Sequence, residues 1–158
     1  MIIMIKILFI SLLSFFLEGI LSIFINMDTC LFNILLVVSF IIFLNSIIKD
    51  EYIYYLCAIG IGFLYDIIFT GFIGYSIVSF SLLAIFIKRF RLINICENKL
   101  VKYAIYISFY RIISYIILLL IGYKEINLIY LTKGIFSSFF INLMYIYLLN
   151  YLYRKKLI

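Results

Sequence analysis

The sequence predicts an all-α membrane protein of six transmembrane helices with both termini in the cytoplasm. Three observations predict it. The chain is 68% hydrophobic, with a mean hydropathy of +1.31. That leaves too little polar surface to cover a soluble globule of 158 residues. Apolar runs of about 20 residues recur along it, the length a helix needs to cross the hydrocarbon core. Finally, ten of the 13 basic residues fall on one side of those runs, and an excess of Lys and Arg marks the cytoplasmic side.

The spans follow from the charges that interrupt the hydrophobicity, and they fill one polytopic domain, 1–158. The first runs over about 7–26. It is long enough to span and more spans follow, so it reads as a retained anchor rather than a cleaved signal. The turn "NMDT" at 26–29 places Asp28 or Thr29 to cap the second span, about 30–48. After the charged "KDE" at 49–51, residues 52–87 contain no Lys or Arg and a single acid. That stretch suits two spans, about 52–69 and 73–87, turning at "TGFIG". The basic stretch "KRFRLINICENKLVK", 88–102, separates them from the fifth span, about 103–122, and "YKEIN" leads to the sixth, about 128–147. Lys6, Lys49, Lys88, Arg89, Arg91, Lys99, Lys102, Arg154, Lys155 and Lys156 then share one side, and Lys124 takes the other. The net charge of +6 is thus a signal of orientation first, and a basic surface for anionic lipid or an acidic partner second. With no proline in the chain, the helices are expected to lack proline kinks.

Catalytic chemistry finds few candidates. There is no histidine, the commonest general base and metal ligand, and no nucleophile–base pair is visible. Cys30, Cys57 and Cys96 are far apart and form no CxxC pair. No catalytic residue, metal ligand, cofactor or nucleic-acid partner is therefore expected. What stands out is four ionisable residues inside the spans: Glu18, Asp66, Arg111 and Lys133. A charge at the bilayer centre costs at least about 2.5–3.5 kcal/mol, so each needs a reason to be there. Depth along the spans pairs Asp66 with Lys133, and Glu18 with Arg111. Small residues accompany them. Ala58 and Gly62 lie two turns and one turn before Asp66, and Gly134 and Ser138 repeat that spacing on the sixth span. Such pairs let membrane helices approach closely. Gly71 and Gly74 flank a turn too tight for bulky residues.

The stretch Gly62-Phe-Leu-Tyr-Asp66, then Gly74, an apolar span and the basic "KRFRL", resembles the rod shape-determining MreD family. Length, six spans and a basic C-terminal end agree with that family. The second span departs from it: many MreD chains carry a proline near its start, where this chain has "DTCLFN". The resemblance implies a non-enzymatic subunit of the bacterial cell-wall elongation complex in the cytoplasmic membrane. Its implied partners are an MreC-like bitopic protein and a RodA-like polymerase with its class B penicillin-binding protein. MreB filaments would lie beneath the basic loop 88–102, with membrane lipids around the chain. The family fold is similar to the S-component of energy-coupling-factor transporters, which makes a vitamin-binding S-component the alternative. Glu18, Gly62, Asp66, Gly71, Gly74, Arg111, Lys133 and Gly134 are the candidate structural or interaction residues.

Overall fold

The computed structural model describes residues 2–24, 34–93, 98–122 and 128–155. Every regular element in them is helical: α1 (Ile2–Phe24), α2 (Leu36–Ile47), α3 (Glu51–Tyr65), α4 (Tyr75–Ile93), α5 (Lys99–Leu120), α6 (Leu128–Ser137) and α7 (Phe139–Arg154). A π-helical turn, Asp66–Thr70, prolongs α3. Three segments are long and apolar enough to cross a membrane: Glu51–Thr70, Lys99–Leu120 and Leu131–Arg154. Ile7–Ser22 and Leu36–Ile47 are shorter apolar helices.

The bundle is built around α2. Every residue from Ile34 to Leu44 is buried, on all sides of the helix, the pattern of an element enclosed by others. Its neighbours are α1, α3, α4, α5 and α7. Outside this centre, α3 and α4 form an antiparallel hairpin, and α5 packs on α4 through aromatic rings. Phe86 stacks on Phe109 with centroids 3.6 Å apart, and Phe80 meets Tyr110 at 5.7 Å. Outward faces are large and apolar, for example Leu8, Phe16, Ile68 and Phe140. Lipid tails are as apolar as these side chains, so close packing and polar contacts must hold the helices together.

Helix ends follow local rules where the chain is polar. Asp50 accepts a bond from the Ile53 amide at 3.1 Å to start α3, and Asn98 accepts from Leu100 at 3.0 Å to start α5. Glu51 and Arg154 suit the helix dipole at the two ends they occupy.

The helices map onto the expected spans as follows. Helix α2, Leu36–Ile47, lies within the expected second span of about 30–48, and the amides at its start find acceptors inside the bundle. The proposed cap, Asp28 or Thr29, and the turn 123–127 lie outside the described residues. Helix α4 continues to Ile93, past the expected end at 87, because Lys88 turns inward rather than opening a loop. The last span breaks at Ser138, whose amide bonds to the Ile135 carbonyl at 3.2 Å. Interruptions therefore occur without proline, as a π-helical turn and as this break.

Candidate functional site

Asp66 sits where α3 passes into its π-helical turn, fully buried. Its carboxylate does not meet a lysine. One oxygen accepts from the Gly74 amide at 2.7 Å and from Ile77 at 3.4 Å. The other accepts from the Ser76 amide at 2.8 Å and the Thr70 hydroxyl at 3.0 Å. These amides are the start of α4. A helix N-terminus leaves its first four amides without intrahelical acceptors and carries about half a positive charge. Asp66 supplies both the acceptors and the counter-charge, reaching across the turn from the preceding helix.

The glycines make this reach possible. Gly71 is left-handed (φ +67) and closes the turn with an amide bond to the Asp66 carbonyl at 2.9 Å. Gly74 has φ +116, a conformation L side chains rarely adopt, and this points its amide at the carboxylate. Gly62 acts by size. A Cβ there would lie 2.8 Å from the Ile77 Cα and 2.8 Å from the Ser76 carbonyl oxygen. Only a bare backbone lets α4 come this close, with buried Ala58 one turn below. The expected close approach at Gly62 is present, and what it brings to Asp66 is backbone amides rather than a base. Lys133 is exposed on α6, so the expected Asp66–Lys133 pair is replaced by this cap.

Glu18 repeats the device one hairpin earlier. It is buried in α1; one carboxylate oxygen accepts from the Val37 amide at 2.8 Å, the other from the Tyr65 hydroxyl at 2.7 Å. Helix α2 begins inside the bundle, away from water, so its amides need protein acceptors. Asn142 of α7 supplies another, accepting from the Leu35 amide at 2.8 Å. Arg111 Nε donates to Ser138 Oγ at 2.8 Å. That serine in turn donates to the Gly134 carbonyl at 2.6 Å. The expected close helix contact at Gly134 is not found: a Cβ there would meet nothing within 4 Å. The small partner that packs is Ser138, buried at the break.

Lys88 completes the pattern at the opposite end of α2. It is buried, and its ammonium donates to the carbonyls of Ile48 and Lys49 at 3.2 and 3.4 Å, 4.9 Å from the Tyr54 ring centre. One acid, Glu18, thus stands at the N-terminus of α2 and a cation, Lys88, at its C-terminus, the arrangement the helix dipole favours. Read from sequence, Lys88 counts only toward orientation and the basic loop. Of that loop's described side chains, Arg89, Asn98, Lys99, Leu100 and Val101 are exposed.

Sequence reasoning read Ser138 only as a small packing residue, and it missed Tyr65, Asn142, Ser14 and Tyr145. The last two share a 2.8 Å hydrogen bond beside the Glu18 site. Their signal was spacing. Ser14 and Glu18 are four apart, as are Ser138 and Asn142, so each pair shares a helix face.

Chemically, the cluster offers carboxylates whose oxygens already accept from protein donors. No group of three or more His, Cys, Asp or Glu residues suited to a metal ion occurs among the described residues. An apolar cavity of about 580 Å³ lies beside the Asp66 turn, lined by Thr70, Phe72, Tyr75, Val78, Ile117 and Ile121 among others. No protein-family model matches the chain, and neither a curated protein nor a solved structure matches it.

Proposed function

We propose that this chain is a non-enzymatic scaffold of the bacterial cell-wall elongation complex, of the MreD type. In this reading it crosses the cytoplasmic membrane six times, with α6 and α7 as one span and both termini cytoplasmic. It seats an MreC-like bitopic protein and the polymerase–transpeptidase pair, with MreB filaments near 88–102. One observation carries the reading. The residues by which the sequence resembles MreD form a single mechanical unit: Gly62 seats α4, Gly71 and Gly74 shape the turn, and Asp66 caps the helix that follows. Polar groups spent on helix ends suit a rigid platform better than a reaction centre.

A second reading, the vitamin-binding S-component, draws on the cavity of about 580 Å³ beside that turn, within the usual range of roughly 300–1,000 Å³ for small-ligand pockets. Its mostly apolar lining supplies few of the polar groups that orient such a ligand. Depletion in a rod-shaped host separates the two. The scaffold reading predicts rounding or swelling at every vitamin concentration. Rods that stay normal until one vitamin becomes scarce would replace it with the transport reading.

A further inference from the structure

Three ionisable span residues are engaged by hydrogen bonds within the chain: Glu18 and Asp66 by amides, and Arg111 by the Ser138 hydroxyl. Lys133 differs. It is exposed on α6, on a stripe that recurs in steps of three and four across the Ser138 break: Ile129, Lys133, Phe136, Phe140, Met144 and Leu148. Phe136 is 73% exposed and Ile129 79%. Beside Lys133, Gly134 has open space where a side chain would stand. Further along, Phe140, Leu143, Met144, Tyr147 and Leu148 with Leu100 of α5 line a groove of about 470 Å³.

We infer that this stripe seats a transmembrane helix of another protein, which carries one Asp or Glu at the depth of Lys133. The inference rests on the scaffold reading and names the face it uses. A lysine facing hydrocarbon is costly, and a carboxylate on a docked helix removes that cost. The open backbone at Gly134 admits such a helix closely, and the groove takes its apolar side chains. A second copy of this chain does not fit the charge. Its described span acids, Glu18 and Asp66, are buried and already bonded. Snorkelling to lipid phosphate is the simpler fate for a lysine about 7.5 Å from the start of α6. It would leave the groove and the space at Gly134 without an occupant.

The test uses the full chain co-expressed with the bitopic partner of its own host, in membranes. Cysteines are placed at Phe140 and Met144 on this stripe, at Leu12 on α1 and at Phe63 on α3, and paired with cysteines along the partner's span. The expected result is disulfide formation from the stripe alone. Lys133→Glu should lower it at least tenfold, Lys133→Arg should preserve it, and exchanging the partner's span acid for lysine should restore it with Lys133→Glu. Crosslinks only from Leu12 or Phe63 would keep the scaffold and overturn the docking face. So would stripe crosslinks to a second copy, rescue of Lys133→Glu by Glu125→Lys within the chain, or crosslinks indifferent to Lys133→Glu. Absence of any crosslink and of any co-purification would overturn the functional reading as well.

Discussion

Asp66 shows how much a single residue's role depends on what the fold brings to it. An acid in an apolar run announces itself, and so do the glycines around it. Its partner could not be read, because the bonds run from residue 66 to 74, 76 and 77 across a turn. A cap normally comes from the residue just before its helix, so spacing alone pointed to a lysine at similar depth. Two predictions belong here. Asp66→Ala leaves buried amides without acceptors, which costs about 1–3 kcal/mol each; Asp66→Asn keeps one acceptor and should lose less. The midpoint of thermal unfolding in detergent should fall in that order. Gly62→Ala should also lower the midpoint, by the equivalent of about 1–3 kcal/mol, because the new methyl must push α4 away. Gly60→Ala and Gly134→Ala meet open space and gain helix propensity, so their midpoints should hold or rise. Equal losses at all three glycines would contradict the packing account.

At the scale of the helix, α2 is the element least like its expectation. It is short, buried all round, and begins within the bundle. Hydropathy reads length and charge, and it cannot tell a lipid-facing span from one wrapped by its neighbours. The capping groups were hidden for the same reason: Asn142 and Tyr65 are ordinary polar residues until the bundle places them at an amide or a carboxylate. Glu18→Gln keeps one oxygen acceptor but loses the counter-charge at the N-terminus of α2. Hydrogen exchange read by mass spectrometry should therefore speed up in peptides covering 34–38, while the α3–α4 turn at 70–76 stays protected. Lys88→Met should do the converse and loosen 46–50. Unchanged exchange at 34–38 in Glu18→Gln would mean that α2 is held by packing alone.

Across the whole molecule, helical class, membrane-length segments and the α3–α4 hairpin were legible, because hydrophobicity and turn glycines are local signals. The arrangement around α2 was not, since it depends on which faces meet. Orientation rests on the basic asymmetry and has its own check. On a cysteine-free background, Ile95→Cys should resist an impermeant reagent in intact cells and Glu125→Cys should react; the reverse pattern would invert the topology. The central claim is that backbone amides at helix N-termini, and not a basic partner, hold the buried acids. The charge exchange at Asp66 and Lys133 tests it most directly, read as the folded, monodisperse fraction of the purified protein in detergent. The account predicts a severe loss for Asp66→Lys, near-normal yield for Lys133→Asp because that position is exposed, and a double variant no better than Asp66→Lys alone. Recovery of folded protein in the double variant would contradict it, and would return the two residues to a buried ion pair.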